Sequence, residues 1–304
     1  MWSQVKSTPF NLFNGNKSIL SLKKQELEIN TVNTINKWYG RLGNNIQQIC
    51  CGILYSIANN DQFTSIDHEL IKIINVNDYG YTKIRRNRFY FYTDQVKYKF
   101  LPFKFFKQPD FDIDLNFLYS NIREIALTYI TPNFKFDVGN ALDEDTLVIH
   151  IRSGDIFNPN RTTHPDYIPN PLSFYTNLIN RFKKTIVVTE SDNFNPIVTE
   201  LRKDKTVETQ STSITNDFST LLRAKNLASS GVGSFAVAAA LCSTNIKNFF
   251  CTNMYIKEHL NPEMLTSDEN ITVHIEKLTN YLLPGSWKNS KEQHDFILSY
   301  PTNK

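Results

Sequence analysis

The sequence predicts an α/β fold built on a parallel sheet. Between about residue 146 and residue 251, short β-branched runs alternate with amphipathic runs. Parallel strands need crossover connections, usually helices, and this alternation is the pattern that such a sheet produces. A polar, acidic stretch at residues 139–145 precedes the alternation, so we expect one α/β domain at residues 1–142 and a second at residues 143–304.

The predicted elements of the second domain follow one another as strand and helix in turn. We expect strands at residues 146–151, 185–189, 206–209, 226–229 and 248–251. We expect helices at residues 171–182, 196–202, 217–224 and 234–242. This order is typical of a doubly wound sheet, in which ligands bind beyond the carboxyl ends of the strands.

The first domain has one strong predicted helix, at residues 44–59. Its Ile46, Ile49, Ile53 and Ile57 recur three and four residues apart, which places them on one helical face. A second helix is expected at residues 115–130, and strands are expected at residues 63–67 and 87–93.

Composition excludes several classes of protein. The chain has 33 Lys and Arg against 30 Asp and Glu, a balance too even for charge alone to imply a nucleic-acid or membrane partner. With 40% hydrophobic residues the chain is not a disordered one. The longest apolar run, residues 235–242, is too short to span a bilayer, and the first residues do not read as a signal peptide. We therefore expect a soluble, cytoplasmic protein without a transmembrane segment.

The first candidate site segment ends the strand predicted at residues 146–151. Period two places His150 and Arg152 on one face of the sheet, and Gly154 breaks the strand before Asp155. A guanidinium fork suits a diphosphate, and a ligand at the carboxyl end of the strand would meet Arg152 first. The alternative is an Arg152–Asp155 pair that only shapes the turn.

The second candidate segment, residues 226–240, is a strand that ends in a small-residue turn and opens a helix. Backbone N–H groups at Gly231, Gly233 and Ser234, with the positive helix end, would form an anion site. The alternative is an ordinary tight turn in which Ser234 is the N-cap of the helix.

The third candidate segment is the glycine loop at residues 39–45, which leads directly into the helix of the first domain. It lacks the Gly-Lys-Ser/Thr ending of a Walker loop and the G-x-G-x-x-G of a dinucleotide site. Taken alone, it predicts a helix start with an Asn cap.

In their order and spacing these three segments resemble the GDP-fucose-dependent fucosyltransferase superfamily, especially the α1,2- and α1,6-type enzymes and the protein O-fucosyltransferases. The segment from Gly40 to Asn44 is similar to the family's N-terminal G-R-L-G-N loop. The segment from His150 to Asp155 is similar to its H-x-R-x-G-D signature. Asp217, with the segment from Ser229 to Phe235, is similar to its third motif, in which an Asp leads to a Ser-rich strand end and a small-residue helix.

The resemblance implies a GT-B-like architecture, two Rossmann-like domains facing a cleft, and an inverting transfer of fucose from GDP-fucose to a glycan hydroxyl. It implies no metal and no cofactor; the partners are the nucleotide-sugar donor and the glycan acceptor, not nucleic acid. Donor binding would fall to His150, Arg152, Asp155, Asp217, Ser230, Gly233, Ser234, Phe235, Gly43 and Asn44. Arg152 would also be catalytic, because it would stabilise the leaving diphosphate. A xylosyl or rhamnosyl donor stays open.

Carboxylates after two predicted strands are candidates for the remaining roles. An inverting transfer is helped by a base that takes the proton of the acceptor hydroxyl, and Asp67, with His68 and Glu69 beside it, is the preferred candidate. Glu190 and Asp192 follow the strand at residues 185–189 and could touch the donor sugar. The alternative for all of these carboxylates is solvated or helix-capping polarity.

Three other classes compete with this prediction. Asp110, Asp112 and Asp114 have the D-x-D spacing of metal-dependent GT-A transferases, although the first turn of the helix that follows also favours acidic residues. The basic run Lys83, Arg85, Arg86 and Arg88 precedes the aromatic residues 89–92, as in single-strand nucleic-acid binders. The third alternative is a non-catalytic carbohydrate-binding relative.

Overall fold

The computed structural model describes residues 2–5, 32–35, 37–59, 62–76, 115–257 and 259–301. The chain divides into two compact units. The larger unit comprises Met1–Lys6 and Asp137–Lys304, and the smaller unit comprises Ser7–Phe136. Because the predicted boundary follows residue 142, the larger unit includes the N-terminal strand and residues 137–142 in addition to the predicted second domain.

Numbered in chain order, the strands are β1 (Trp2–Val5), β2 (Val32–Ile35), β3 (Gln62–Ser65), β4 (Asn75–Val76), β5 (Thr146–Ile151), β6 (Lys184–Thr189), β7 (Val207–Gln210), β8 (Asn226–Ala228), β9 (Asn248–Thr252) and β10 (Thr272–Glu276). The α-helices are α1 (Leu42–Asn59), α2 (Leu115–Ile125), α3 (Gly154–Phe157), α4 (Leu172–Ile179), α5 (Pro196–Leu201), α6 (Ile214–Arg223), α7 (Phe235–Cys242) and α8 (Lys291–Ser299). A π-helical stretch, Ala126–Ile130, continues α2. No helix in these described ranges is long and apolar enough to cross a membrane.

The described part of the smaller unit is organised around α1. Strands β2 and β3 are parallel and α1 connects them, while β4 pairs antiparallel with β3. The predicted apolar face of α1 is buried, and Gly52 makes room for the Phe63 ring, since a Cβ at Gly52 would lie 2.4 Å from Phe63 Cε2. This is one βαβ unit, so a complete second Rossmann-like domain stays a prediction.

Three features predicted for the first half lie outside the described residues. They are the strand at residues 87–93, the D-x-D segment of Asp110, Asp112 and Asp114, and the basic run of Lys83, Arg85, Arg86 and Arg88.

The larger unit contains a seven-stranded sheet in the order β1-β10-β9-β8-β5-β6-β7. All pairs from β10 to β7 are parallel, and β1 pairs antiparallel with β10 at the edge. From β5 the chain winds outward through β6 to β7, then returns and winds outward from β8 to β10. This is the strand order of a Rossmann-like, doubly wound sheet, and it confirms the predicted α/β fold for this unit.

Side chains alternate between the two faces of this sheet, as period two requires. Leu147, Ile149 and Ile151 belong to a buried cluster that also includes residues of α4, α5 and α8. The intervening His150 belongs to the opposite face, where its ring lies 5.0 Å from that of Phe235, the first residue of α7. The predicted strand at residues 146–151 is therefore confirmed, and His150 lies on the face opposite to Leu147, Ile149 and Ile151.

The C-terminal part of the chain completes the core in a way that the sequence did not predict. Trp287 is buried and donates its Nε1–H to the carbonyl of Ile156 at 3.0 Å, just beyond β5. In β10, His274 stacks on Phe250 of β9 with 4.6 Å between ring centroids and lies 3.0 Å from Asn248 Oδ1. These pairings allow a polar-looking strand to be buried.

The turn after β8 packs against the backbone of residues 168–170. The N–H of Val232 donates to the carbonyl of Ile168 at 3.1 Å, and Gly231 forms an isolated antiparallel bridge with Pro169. Gly231 has a φ of +88°, and a Cβ there would lie 2.4 Å from the Ile168 oxygen. Only glycine fits this position, because both the backbone conformation and the close approach exclude a side chain.

We predict that Gly231→Ala destabilises the larger unit strongly. The left-handed conformation and the displaced main chain together should lower the free energy of unfolding by roughly 3 kcal/mol. Gly139→Ala is the matched control, since Gly139 has a φ of +75° but its Cβ would only approach Arg223, at 3.7 Å. It should cost about 1 kcal/mol. Urea unfolding measures both values, and equal losses for the two variants would contradict the packing account.

Candidate functional site

The two site segments predicted in the larger unit follow neighbouring strands. Residues 152–155 follow β5 and residues 229–234 follow β8, and these strands are parallel partners, with Ile149 opposite Ala228. Strand order reverses between β5 and β8. In open α/β sheets ligands bind in the crevice outside the carboxyl ends of the strands at such a reversal. The structure therefore brings the two segments together where the fold is suited to a ligand.

Arg152 is held at this edge by two contacts in different directions. Its Nε donates to Asp155 Oδ1 at 2.9 Å and its Nη2 to Asp155 Oδ2 at 2.5 Å. The guanidinium carbon lies 3.9 Å from the centroid of the Tyr167 ring. The Arg152–Asp155 pair considered at the sequence level thus forms. Asp155 binds Nε and Nη2, so Nη1 is the nitrogen of the fork that this carboxylate leaves for other partners, and the Tyr167 side chain also contributes a hydrogen bond to Arg152.

The charge on Arg152 is secure although its side chain is only 18% exposed. Burial works against the charged form, but the hydrogen bonds and the negative charge of Asp155 outweigh it and raise the pKa of Arg152. Asp155 is therefore a partner of Arg152; its predicted direct contact with a donor stays a prediction.

Glu190 and Asp192 hold the turn that follows Arg152. The N–H of Ser153 donates to Glu190 Oε2 at 2.6 Å, and the Ser153 hydroxyl donates to Asp192 Oδ1 at 2.7 Å. A Cβ on Gly154 would lie 3.6 Å from Glu190 Oε1 and 3.7 Å from Asp192 Oδ2. Two carboxylates on the β6 side repel a phosphate, so an anion would be favoured on the β8 side of Arg152.

The turn after β8 has a part that packs on residues 168–170 and a part that leads into α7. Val232 donates its N–H to the Ile168 carbonyl and Gly231 lies opposite Pro169, while the availability of the Gly231 N–H to an anion stays a prediction. The first bond of α7 runs from Ala238 N–H to the Ser234 carbonyl at 2.8 Å, so the N–H groups of residues 235–237 have no acceptor within the helix.

The remaining members of this turn surround the start of α7. Ser234 is the N-cap residue by position, but its side chain makes no capping hydrogen bond. The Ser230 hydroxyl lies 3.2 Å from where a Cβ of Gly233 would be, so a side chain at residue 233 would crowd it. Ser230, Gly233 and Ser234 are thus gathered around the positive end of the helix.

His150, Phe235 and Phe218 form a row of rings on the α6 and α7 side of the sheet. The His150 and Phe235 rings are 5.0 Å apart, and Phe235 lies 5.2 Å from Phe218 of α6. This row brings together two predicted donor residues, His150 and Phe235, and the neighbour of a third.

That third residue, Asp217, is engaged by its own loop. Its Oδ1 accepts from Gln210 Nε2 at 2.9 Å and from the Thr212 hydroxyl at 2.8 Å. These bonds close the connection between β7 and α6. The structure therefore gives Asp217 a local structural role, and its predicted contact with a guanine or ribose stays a prediction.

A segment that sequence reasoning missed links both halves of the site. Tyr167 packs on Arg152, while the buried Asn170 donates from Nδ2 to the Ser229 carbonyl at 2.9 Å and accepts from the Thr252 hydroxyl at 2.6 Å. One signal could have found it: the predicted connection from residue 152 to residue 170 is long, and long loops in compact domains are usually functional.

In the smaller unit, Asp67 is more strongly engaged than a catalytic base should be. Lys135 Nζ donates to Asp67 Oδ1 at 2.7 Å, and this hydrogen bond lowers the pKa of Asp67, whose side chain is 70% exposed. A lower pKa weakens the carboxylate as a proton acceptor. The predicted role of Asp67 as the base stays open, but its electrostatics are unfavourable.

His68, next to Asp67, belongs to a network at the start of α1. Its Nδ1 accepts from the Leu70 N–H at 3.0 Å, and its Nε2 lies 3.2 Å from Asn45 Oδ1. Asn45 Nδ2 donates to the Tyr39 carbonyl at 2.9 Å. Burial lowers the pKa of His68, so it is neutral at pH 7. Both ring nitrogens therefore have a hydrogen-bond partner within the protein.

The glycine loop before α1 forms a tight turn. Gly40 has a φ of +72°, and the N–H groups of Asn44 and Asn45 both donate to the Arg41 carbonyl, at 2.8 and 3.1 Å. Because α1 begins at Leu42, two residues before the predicted start at residue 44, Gly43 and Asn44 lie in its first turn and the predicted Asn cap is wrong.

The described residues were compared with metal-site geometry, and the chain with known proteins. Within residues that the structure describes, no group of three or more His, Cys, Asp and Glu side chains is arranged to hold a metal ion. The candidate site consists of Arg152, the start of α7 and the residues that hold them. Compared with protein-family models, curated proteins and solved structures, the chain matches none of them.

Proposed function

We propose that this chain is an inverting glycosyltransferase that takes its sugar from a nucleoside diphosphate donor, with GDP-fucose the first candidate, and passes it to a glycan hydroxyl. One observation carries the proposal. The two segments that resemble fucosyltransferase motifs, at residues 150–155 and 229–235, leave adjacent strands at the reversal of strand order. This is the place where a fold of this kind binds nucleotides.

The diphosphate would lie between Arg152 and the first turn of α7. When the bond between the sugar and the diphosphate breaks, negative charge develops on the leaving phosphate oxygen. A charged guanidinium and a helix N-terminus, both already fixed, stabilise that charge more than they stabilise the intact donor. Glu190 and Asp192 confine the anion to this side by repulsion.

The proposal includes the GT-B-like architecture, in which the smaller unit would supply Gly43, Asn44 and Asp67 from across a cleft. The Lys135 hydrogen bond leaves Asp67 a weak base. We therefore propose that leaving-group stabilisation by Arg152 carries the larger share of catalysis, and that the proton of the acceptor hydroxyl leaves late in the reaction.

The donor is tested by thermal unfolding in the presence of GDP, UDP, GDP-fucose and UDP-xylose. A ligand at about 100-fold its Kd stabilises the native state by about 2.7 kcal/mol, which raises Tm by roughly 5–10 °C for a unit of this size. We expect GDP and GDP-fucose to give this shift. A larger shift with UDP-xylose would identify a different donor, and no shift with any of the four at millimolar concentration would contradict the proposal.

Arg152→Ala should abolish transfer while the protein stays folded. Loss of one fixed donor to a developing charge lowers kcat by about 10²–10³-fold. Arg152→Lys should fail nearly as badly, because a single ammonium cannot bind Asp155 as a fork and also reach a phosphate. The control is Arg161→Ala, which removes an exposed arginine from the same unit. Donor hydrolysis and transfer are the readouts. Near-normal turnover in Arg152→Ala would contradict the role of Arg152 in binding the donor diphosphate.

A further inference from the structure

We propose that Tyr167 is a positioning residue that holds Arg152 ready for the diphosphate. The inference rests on the proposed function and extends it to a residue outside the three motifs. Asp155 grips one edge of the guanidinium, at 2.9 and 2.5 Å, and the Tyr167 ring covers one of its faces, with 3.9 Å between the guanidinium carbon and the ring centroid.

The two contacts remove different motions of the side chain. A carboxylate that binds two nitrogens holds one edge of the guanidinium in place. It still permits the guanidinium to rotate about that edge. A ring stacked at cation–π distance opposes that rotation. Ordering a long arginine side chain in advance spares the entropy that ligand binding would otherwise lose.

Tyr167 can act in this way because its own backbone is anchored. Its N–H donates to the His164 carbonyl at 3.1 Å. The next residue, Ile168, accepts from the Val232 N–H at 3.1 Å, and the Pro169 carbonyl accepts from the Tyr281 hydroxyl at 2.9 Å. We call residues 167–170 the bridging segment, since Tyr167 at one end touches Arg152 and Asn170 at the other holds the Ser229 carbonyl.

The bridging segment therefore sets the spacing between the two parts of the proposed diphosphate site. Arg152 packs on Tyr167, and the turn before α7 packs on Ile168 and Pro169. Gly231 lies so close to the Ile168 carbonyl that the turn cannot move nearer to it. A side chain that stacked on a bound base instead would contribute to binding without Arg152. This difference separates positioning from direct ligand contact.

A double-mutant cycle on GDP binding tests the role of Tyr167. We expect Tyr167→Leu, which keeps apolar volume but loses the ring, to weaken GDP binding roughly 10-fold. Tyr167→Phe keeps the ring and should stay within about twofold of the wild type. In an Arg152→Lys background, Tyr167→Leu should add less than about twofold. A full 10-fold further loss in that background would overturn the proposal, and so would unchanged affinity of Tyr167→Leu itself.

A second measurement needs no ligand. Phenylglyoxal modifies accessible guanidinium groups, and peptide mass spectrometry follows Arg152 alone. Tyr167→Leu should speed the modification of Arg152 severalfold, whereas Tyr167→Phe should match the wild type. Equal rates in all three proteins would overturn the positioning role. If the rates differ as expected but no nucleoside diphosphate binds, the proposed function fails while the positioning of Arg152 stands.

Discussion

The site depends on one topological constraint: β5 and β8 are neighbours, although β6, β7 and the intervening helices separate them along the chain. Helices that follow β5 and β6 pack with the Ile149 face, and α7 lies by His150 on the other face. The chain must therefore leave the two central strands in opposite directions, which opens a crevice between their carboxyl ends. Arg152 and the first turn of α7 lie at this crevice only because of that order.

At the crevice, the placement of a few charged groups matters more than their net charge. Arg152 pairs with Asp155, and Glu190 and Asp192 bind the next residue, Ser153, so this edge of the sheet is no basic patch, in keeping with a net charge of +3 for the whole chain. An anion would be attracted by one guanidinium and one helix end and repelled from the β6 side. Such an arrangement favours a ligand with a single compact anionic group, and a diphosphate between two neutral sugars fits that description.

Local patterns predicted the parts of the larger unit that depend on local physics. Residues 146–151 and 248–251 are β-branched and aromatic runs, and both are strands. The sequence did not predict β10, because His274 and Glu276 read as polar and only tertiary pairing with Asn248 and Phe250 explains the burial of His274. The sequence shows that residue 231 is glycine, but it does not show that the Ile168 carbonyl lies close enough to require glycine there.

The candidate site was likewise only half predictable. Period two predicted only that His150 and Arg152 share a face of the sheet, and the structure adds that His150 lies on the α7 face. The ends of the neighbouring strands β5 and β8 bring two predicted segments together. The stacking of Tyr167 on Arg152 joins residues from opposite ends of a long connection, so no periodicity reports it. Asp67 illustrates the converse: a strand was predicted to end at Asp67 and β3 ends nearby, at Ser65, whereas the effect of Lys135 on the pKa of Asp67 required the fold.

Amide hydrogen exchange with and without GDP tests most directly whether the crevice between β5 and β8 is the nucleotide site. We expect GDP to slow exchange severalfold in peptides covering residues 152–157 and 229–237, which include the N–H groups at the start of α7 that have no acceptor within the helix. Peptides from residues 143–146 and 183–185, at the amino ends of the strands, should be unchanged. Binding of GDP with protection at the amino ends instead, or with no protection after β5 and β8, would contradict the account.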